Sequence, residues 1–292
     1  MILRSRLAPT PSGYLHVGNA VNFLRTWLLV HRAGGNLRLR IDDADSERAR
    51  PEFVEDIFDQ LDWLKLSWEE GPCGPDDFFL HHSQLLRLDR YREFLSELAA
   101  RAHLFHCTCS RREVLTHSQS GLYPGTCRGR RDLASGHPVR IHVPVETLVR
   151  VEDTQIALCR EMGDFVLWRR GGLPAYQLAS LVDDLDHRIN LIVRGGDLVV
   201  STAAQLFLAK QLGRDDFSRT AFHHHPLISC AEGKKLSKSH GALSLKAMRA
   251  GGVSVTEVYR LTARQLGLDP REVVDLTDLL SLYRECCQPG SA

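Results

Sequence analysis

The sequence lacks the features that mark membrane-spanning and secreted proteins. No stretch approaches the roughly twenty consecutive apolar residues that cross a bilayer, and residues 1–7 have no apolar signal core. We therefore expect a cytoplasmic location. The eight cysteines are scattered along the chain, and in a reducing compartment this argues against a disulfide framework. Internal repeats and low-complexity tracts are also missing.

An excess of charge of one sign is missing as well. The formal net charge is +1, so a nucleic-acid partner would have to meet a local basic patch and not the whole surface. The densest such patch joins Arg128, Arg130 and Arg131 to Arg111 and Arg112, and a solvated arginine-rich loop is the alternative interpretation. The 292 residues are 43% hydrophobic and 25% charged, which is typical of a packed globular protein.

The N-terminal part has the pattern of a strand, a helix and a second strand. Residues 2–8 form an apolar run, residues 18–33 carry apolar side chains at three-to-four spacing, and residues 37–41 alternate. Such a unit requires a right-handed crossover and a parallel sheet, with ligands at the carboxyl ends of its strands. We expect the turn that holds His16 and the carboxylates from Asp42 onward at that end.

The rest of the chain alternates between helical and strand patterns around one irregular segment. Residues 103–138 are rich in Cys, His, Arg and Gly with little periodicity, which indicates an insertion that something other than an apolar core holds together. The order predicts an α/β nucleotide-binding domain that is split by this insertion and followed by a small helical region. The other predicted elements are helices from Pro51, over 85–102, from a cap at Ser201 or Thr202 to 212, and over 245–266 with a break at Gly251 and Gly252, and strands at 139–143, 164–169 and 189–194.

Two short segments near opposite ends of the chain carry the strongest chemical signal. PTPSGYLHVGN, from Pro9 to Asn19, puts glycines and a histidine where the first strand turns into the helix, and KKLSKS, from Lys234 to Ser239, is a cationic loop with hydroxyls. A helix N-terminus suits one side of a triphosphate, and mobile positive charge suits the other. Each segment alone is weak evidence, because a capped turn or a lysine-rich surface loop has the same pattern. Together they predict an ATP site.

In this order the two segments resemble the HIGH and KMSKS signatures of the class I aminoacyl-tRNA synthetases. Three flanking matches, RLAPTPSGYLH from Arg6, LRIDDAD from Leu39 and IVRGGDL from Ile192, resemble the glutamyl-tRNA synthetase group more closely. The resemblance covers about residues 3–243 and is highly specific, because it joins several separated motifs. It implies an α/β fold with a Rossmann-like parallel sheet that is split by a zinc-binding insertion and followed by a small C-terminal helical region.

The implied domains are two halves of the catalytic domain at residues 1–102 and 161–240, a zinc-binding and acceptor-binding insertion at 103–160, and a short helical region at 241–292. Glutamyl-tRNA synthetases continue past the lysine loop into a long anticodon-binding region, which we do not expect here. This shorter form resembles a paralogous family, the glutamyl-queuosine tRNA(Asp) synthetases. That resemblance implies a monomeric ligase that uses ATP with Mg²⁺ to activate L-glutamate without tRNA, and then attaches it to the queuosine base of tRNA(Asp).

The resemblance also implies roles for individual residues, with positioning and charge supplying the catalysis and no protein nucleophile. An arginine suits the glutamate site because its planar fork binds a carboxylate bidentately, although a surface ion pair is the alternative for Arg6 and Arg194. The implied roles are catalysis for His16, Asn19, Lys235 and Lys238, ATP binding for Pro9, Gly13, His16, Gly18, Asn19 and Lys238, and glutamate binding for Arg6, Ala8, Thr10, Asp42, Tyr176 and Arg194.

One departure from the family pattern concerns the substrate. Where the family has glutamate in Arg-Ile-Glu-Asp, this chain has Asp42, which is one methylene shorter at the place expected to hold the amino group of the substrate. The contact survives through a shift or a water, or the pocket admits a different amino acid. Asn19 in place of the second signature histidine and Leu236 in place of methionine are milder changes.

The irregular segment matches the zinc pattern of the paralogous family, with ligands Cys107, Cys109, Tyr123 and Cys127. Three thiolates satisfy most of a tetrahedral zinc shell, and a phenol is an uncommon fourth donor. His106 and His117 are rivals for that fourth place, and unligated cysteines are the alternative to any metal. A structural zinc ion would explain how a segment with few apolar residues folds.

Three other functions stay open. An amino-acid ligase would make the same adenylate and hand it to a carrier protein, a peptide or a small amine, and the acceptor site is the region that the sequence marks least. A nucleotidylyltransferase shares the glycine and histidine turn, but the lysine loop and residues 192–198 argue against it. A catalytically silent tRNA-binding protein on a synthetase scaffold is a third possibility, against which the retained His16, Lys235 and Lys238 argue.

Overall fold

The structure is a computed structural model that describes residues 2–118, 121–129, 136–227 and 244–286. It divides into two compact units. The first contains the described parts of Met1–Ser83, Ile189–Gly196 and His223–Ala292, and the second those of Gln84–Arg188 and Asp197–Phe222. The lysine loop with Lys235 and Lys238 lies outside the described residues. The division into four functional domains that we expect from the sequence stays a proposal.

Both units contain helices and strands. The strands are β1 Arg4–Leu7, β2 Asn36–Leu39, β3 Leu104–His106, β4 Val139–Ile141, β5 Leu148–Val151, β6 Thr154–Ala157, β7 Phe165–Trp168, β8 Leu191–Gly195 and β9 Ala221–His225. The helices are α1 Val17–Arg32, α2 Pro51–Trp63, α3 Pro75–Asp77, α4 Leu88–Arg101, α5 Arg111–Thr116, α6 Leu158–Glu161, α7 Tyr176–Asp186, α8 Val199–Gln211, α9 Leu245–Ala250, α10 Val255–Gln265 and α11 Leu276–Cys286. In the part of the chain that the structure describes, no helix is long and apolar enough to span a bilayer.

The first unit is built on the strand, helix and strand predicted at the N-terminus. Strands β1 and β2 pair in parallel, with Arg4 opposite Asn36 and Leu7 opposite Leu39, and α1 is the crossover between them. Asn190, the residue before β8, connects this strand to β1. Its backbone N–H donates a hydrogen bond to the Arg4 carbonyl at 3.0 Å. The expected α/β arrangement with a parallel sheet is therefore confirmed.

The C-terminal helices complete the core of the first unit. Val258 and Tyr259 of α10 and Leu279 of α11 belong to the same buried apolar cluster as Leu24 and Leu28 of α1. The Tyr259 hydroxyl donates to the Leu64 carbonyl at 2.9 Å. Burying this many side chains against α1 stabilises the helix that begins at the predicted ATP turn.

The second unit contains an antiparallel sheet in the order β3, β4, β7 and a separate β5–β6 hairpin. Its helices meet at Asp183 of α7, which is 1% exposed. The Asp183 carboxylate accepts hydrogen bonds from Gln84 at 2.8 Å, from Arg87 at 2.9 Å and from the Tyr91 hydroxyl at 2.9 Å. These partners satisfy a buried charge that would otherwise be destabilising.

One prediction about secondary structure is corrected. Helix α8 begins at Val199 with Leu198 as its N-cap residue, so the predicted cap at Ser201 or Thr202 is wrong. The reason is that the 3-10 turn Gly196–Leu198 runs directly into the helix, and Thr202 donates back to the Leu198 carbonyl at 3.2 Å. Helix α11 lies within the helical region predicted at 241–292, although the sequence did not define it as a separate element.

Candidate active site

The turn before α1 is organised by a reciprocal cap between His16 and Asn19. Backbone N–H of Gly18 donates to His16 Nδ1 at 3.0 Å, and the N–H of His16 donates to Asn19 Oδ1 at 3.0 Å. His16 is the N-cap residue of α1, with an extended φ of −112°. Since Nδ1 accepts a backbone N–H, the neutral imidazole carries its proton on Nε2. The turn thus fixes both the position and the tautomer of the signature histidine.

Glycine at position 18 is required by that cap. A Cβ atom at Gly18 would lie 2.8 Å from His16 Cε1 and 2.9 Å from Nδ1, distances that side chains do not tolerate. From the sequence we predict a role of Gly18 in ATP binding, and the structure adds the packing of the ring. At Gly13 nothing lies within 4 Å of a hypothetical Cβ, so its ATP role stays a prediction.

Described residues on both sides of the undescribed segment 228–243 contact this turn or the helix it begins. Ser244 bridges to His16, and the N–H of Leu245 donates to the Leu15 carbonyl at 2.7 Å. On the other side, Nε2 of the buried His225 lies 3.0 Å from Asn22 Oδ1 on α1. The chain therefore leaves β9 beside α1 and returns beside the predicted ATP turn.

The predicted glutamate contacts Arg6 and Arg194 lie inside the first unit. Arg6 is on β1 and is 5% exposed, and Arg194 is on β8 and is 3% exposed. A surface ion pair is therefore wrong for both arginines. Buried guanidinium groups require anionic or strongly polar partners. Of the other predicted contacts in this unit, Ala8 is half-buried and Thr10 is exposed.

Asp42 is joined to Arg40 in a buried ion pair. Arg40 Nε lies 2.6 Å from Asp42 Oδ1 and Arg40 Nη2 lies 3.1 Å from Oδ2, and both side chains are at most 7% exposed. The N–H of Asp42 donates to the Pro9 carbonyl at 2.8 Å, which brings together the two segments that follow β1 and β2. The bidentate geometry fixes the direction of the carboxylate and compensates its charge.

Sequence reasoning missed Arg40 and Ser83 as parts of this cluster. The Ser83 hydroxyl donates to Asp43 Oδ2 at 2.5 Å, and both residues are buried. The alternation of Arg40 and Asp42 could have shown the ion pair, because residues two apart in an extended run share one face. Ser83 is forty positions from its partner, and no local signal predicts that contact.

Tyr176, the last predicted glutamate contact, belongs to the second unit. It is the first residue of α7 and its side chain is 39% exposed. The next residue, Gln177, donates to the Ser201 hydroxyl at 3.2 Å. The role of Tyr176 in glutamate binding stays a prediction.

Three of the four predicted zinc ligands form a cluster in the second unit. The sulfur atoms of Cys107, Cys109 and Cys127 all lie within 4.8 Å of one another, and those of Cys109 and Cys127 are 3.7 Å apart. Zinc–sulfur bonds of about 2.3 Å in a tetrahedron place sulfur atoms about 3.8 Å apart. The donor set and its spacing therefore fit a zinc ion.

The hydroxyl of Tyr123 lies at this cluster. It accepts the backbone N–H of Cys127 at 2.7 Å, and it is hydrogen-bonded to the side chains of Cys107 and Cys127. Among the described side chains, neither His106 nor His117 joins the three sulfurs, and Nδ1 of His117 lies 2.8 Å from the Glu113 carbonyl. These contacts favour the phenol over either histidine as fourth donor.

The electrostatics of the cluster concentrate negative charge on one sulfur. Burial raises the pKa of the Cys127 thiol, but hydrogen bonds from Tyr123, Thr108 and Cys109 outweigh it and lower that pKa to about 6. Burial and the hydrogen bond with Cys127 raise the pKa of Cys109 to about 11. A thiolate is the form of cysteine that binds metal.

Comparison with known proteins gives the class to which this fold and these motifs belong. Residues 2–279 match the family described as tRNA synthetases class I (E and Q), catalytic domain. The chain therefore belongs to the class I aminoacyl-tRNA synthetases of the glutamate and glutamine group, and it is an enzyme of the ligase type.

Within that family, the chain is 37% identical over 97% of its length to the glutamyl-Q tRNA(Asp) synthetase of Symbiobacterium thermophilum, of which it covers 95%. It is 35% identical over 96% of its length to the protein of the same name from Nitratidesulfovibrio vulgaris, of which it covers 92%. Glutamate–tRNA ligase 2 of Koribacter versatilis is 37% identical over 91% of this chain, which spans 56% of that ligase.

Solved structures with the same fold include the glutamate-tRNA synthetase from Elizabethkingia anophelis, with a TM-score of 0.78 and 22% identity. A glutamate tRNA ligase from Elizabethkingia meningosepticum in complex with its amino acid has a TM-score of 0.74 and 21% identity. Each alignment covers 97% of this chain, and 66% and 65% of those chains. At this identity the likeness establishes the fold.

Proposed function

We propose that this chain activates L-glutamate with ATP in the absence of tRNA and transfers the glutamyl group to the queuosine base of tRNA(Asp). One observation carries the proposal: the two glutamyl-Q tRNA(Asp) synthetases match the chain over more than nine-tenths of both partners' lengths. In contrast, the chain spans 56% of a glutamate–tRNA ligase of similar identity. The cytoplasmic location and the monomeric state that we expect from the sequence stay predictions.

The proposed reaction has two steps. The substrate carboxylate attacks the α-phosphorus of ATP, the bond to the bridging oxygen breaks, and pyrophosphate leaves. An acceptor hydroxyl then attacks the carbonyl carbon of the glutamyl-adenylate, and AMP leaves. The chain needs no nucleophile of its own for either step, so its contribution is positioning and electrostatic stabilisation.

The turn around His16 supports the first step. Helix α1 has sixteen residues, and the positive end of its dipole and the amides of its first turn suit a triphosphate. In the neutral ring His16 carries its proton on Nε2, which makes that atom a donor toward developing negative charge. Asn19 holds the backbone of His16 through its side-chain oxygen. Pro9, Gly13 and Gly18 complete the proposed ATP site.

Lys235 and Lys238 are proposed to stabilise the triphosphate from the other side. The support is the position of the flanking residues, since Ser244 contacts His16 and His225 contacts Asn22. A bound Mg²⁺ would neutralise part of the triphosphate charge.

Arg6 and Arg194 are the proposed partners of the two substrate carboxylates, together with Ala8, Thr10 and Tyr176. Their burial supports this role, because a guanidinium shielded from water binds a carboxylate more strongly than an exposed one. Asp42 is the proposed partner of the substrate amino group. Arg40 holds its carboxylate in one direction, so the carboxylate is preorganised for that contact.

A structural zinc ion held by Cys107, Cys109, Tyr123 and Cys127 is also proposed. The support is the fit of the three sulfurs and of the phenol, together with the packing of Phe105 and Val114 against them. The ion would cross-link Cys107 and Cys127 with the loop that holds Tyr123. Its role would be structural, with no part in the chemistry.

Pyrophosphate exchange with each amino acid in the absence of tRNA tests the activation step. We expect exchange with glutamate, and preference for another amino acid would overturn the proposed substrate. Absence of exchange with every amino acid would favour the catalytically silent tRNA-binding protein. Exchange with glutamate but no charging of tRNA(Asp) in either modification state would favour the ligase with a different acceptor.

A further inference from the structure

The ring of Tyr123 is held by two neighbours that are not predicted metal ligands. The guanidinium carbon of Arg140 lies 4.2 Å from the ring centroid, and the ring of Phe105 stacks at 5.9 Å with an interplanar angle of 29°. Tyr123 itself is 6% exposed. The described residues 121–129 contain no helix or strand, so backbone pairing does not fix the direction of this side chain.

Arg140 is itself fixed on the sheet of the second unit. It lies on β4, between strands β3 and β7, and its Nη1 donates to the Asp164 carbonyl at 2.9 Å. The buried Nε of Arg140 has no hydrogen-bond partner among the described residues. Because Nε has no polar partner among these residues, the Tyr123 ring is the main neighbour of the face of the guanidinium that lies over it.

Asp164 is hydrogen-bonded both to Arg140 and to Arg128, the residue after Cys127. Its carboxylate is 1% exposed, and it accepts from Arg128 Nε at 2.6 Å and from the N–H of Val143 at 3.0 Å. Arg128 directly follows the cysteine ligand Cys127. Both Arg140 and the segment that holds Cys127 are therefore anchored to one buried residue.

We infer that Arg140 is a positioning residue for Tyr123, and that its guanidinium holds the phenol oxygen at the zinc site. This inference rests on the zinc ion proposed above. A phenol ligand needs its oxygen within about 0.2 Å of the bonding distance from the metal, and rotation about χ1 would move that oxygen away. Contacts on the ring remove this freedom, as outer partners do for other metal ligands.

A double-mutant cycle on zinc affinity tests the inference. The full chain is stripped of metal, and zinc is titrated in competition with a chromophoric chelator for the wild type, Arg140→Gln, Tyr123→Phe and the double variant. We expect each single change to weaken zinc binding by about 10- to 100-fold. The double variant should bind no more weakly than Tyr123→Phe, since Arg140 acts through the hydroxyl that Phe lacks. Arg140→Lys, which keeps a cation over the ring, should recover most of the affinity.

Cobalt supplies a second readout on the same chains. The ligand-field bands of Co²⁺ report its coordination, so Arg140→Gln should change the spectrum in the same direction as Tyr123→Phe. Arg150→Gln is the matched control, because Arg150 is 75% exposed and faces Asp153 at 3.8 Å. The control should leave both zinc affinity and spectrum unchanged.

Three results would overturn the inference. In the first, Arg140→Gln binds zinc as tightly as Arg150→Gln. In the second, the loss of zinc affinity in the double variant is the product of the losses in Arg140→Gln and Tyr123→Phe. General misfolding of the Arg140→Gln chain would also make the two losses of zinc affinity multiply, so loss of structure counts against the inference. A wild-type chain that binds neither zinc nor cobalt would overturn the zinc site as well, whereas pyrophosphate exchange with glutamate would still test the proposed function separately.

Discussion

Gly18 and His16 are locked together: the backbone N–H of Gly18 donates to Nδ1 of His16 at 3.0 Å, and a side chain at position 18 would strike the imidazole. The signature histidine is therefore oriented by a residue that has no side chain. The pair explains why the turn needs glycine. The orientation of the ring can be tested by a substitution at position 18, with His16 itself unchanged.

Gly18→Ala should lower pyrophosphate exchange about 100-fold, because a new methyl group 2.8 Å from the ring displaces His16, and misplacing a catalytic group by about 1 Å costs that much. The measurement is exchange turnover at saturating ATP and glutamate. Gly74→Ala is the control, since nothing lies within 4 Å of a Cβ at that position. Equal turnover in the Gly18→Ala and Gly74→Ala variants would contradict the role given to the cap.

Arg40→Gln should lower the free energy of unfolding by about 3–5 kcal/mol, because it removes the ion-pair partner of the buried Asp42 carboxylate. Urea unfolding at neutral pH measures the change. Adding Asp42→Asn to this variant should recover much of the loss, since no buried charge then lacks its partner. Arg48→Gln is the control, because Arg48 is 70% exposed in its pair with Asp45. A loss for Arg40→Gln no larger than for Arg48→Gln would show that the buried pair does not stabilise the fold.

Asp186 should contribute stability that depends on pH. Burial raises its pKa, but hydrogen bonds and charge from Arg90 and Arg87 outweigh this and hold the pKa below the ordinary value of 3.8. A depressed pKa in the folded state stabilises above the unfolded value, and that stability is lost as pH falls through the folded value. Asp186→Asn should therefore cost about 1 kcal/mol at neutral pH.

The same cost should shrink as pH falls below 3.8, because Asp186 first takes up a proton in the unfolded chain, and it should vanish below the lower pKa of the folded chain. Urea unfolding across this range measures it. The control is Asp89→Asn, since Asp89 is 94% exposed in its pair with Arg92 and should contribute little at any pH. A cost for Asp186→Asn that is independent of pH would contradict the assignment.

Cys127→Ser should abolish stoichiometric zinc binding and lower the melting temperature of the second unit, since three thiolates form most of the proposed ligand shell. Metal analysis of protein purified without chelator, followed by thermal unfolding, measures both effects. Cys159→Ser is the control, because Cys159 lies in the same unit but outside the cluster of three sulfurs. Retention of one zinc ion per chain in Cys127→Ser would argue against the site.

The N-terminal unit of β1, α1 and β2 was predictable from the sequence because the patterns that indicate these elements are local. The apolar run, the helical spacing and the second alternating run correspond to β1, α1 and β2. Strand β9 was missed because AFHHH is not apolar, although burial alternates along it and His225 is 5% exposed. Helix α11 lies in the predicted C-terminal helical region, but its bounds were not predicted, although Leu276, Leu279 and Tyr283 lie at helical spacing on its buried side.

The sequence predicts which residues form the candidate site, and their roles stay predictions, but it does not predict their contacts. The motifs marked His16 and Asn19, whose reciprocal cap the structure describes, and Arg6 and Arg194, which it places in buried positions. Pairing such as Ser83 with Asp43, forty positions apart, depends on how the chain folds back and leaves no trace in local spacing. The position of Arg140 over Tyr123 is of the same kind.

Transfer of labelled glutamate to tRNA(Asp) tests the central claim most directly. The chain is incubated with ATP, Mg²⁺ and labelled glutamate, and with tRNA(Asp) purified either with queuosine or from cells that cannot make it. We predict that label joins the queuosine-containing tRNA(Asp) and not the unmodified one. Equal charging of both tRNAs, or charging of neither by a chain that exchanges pyrophosphate with glutamate, would contradict the account.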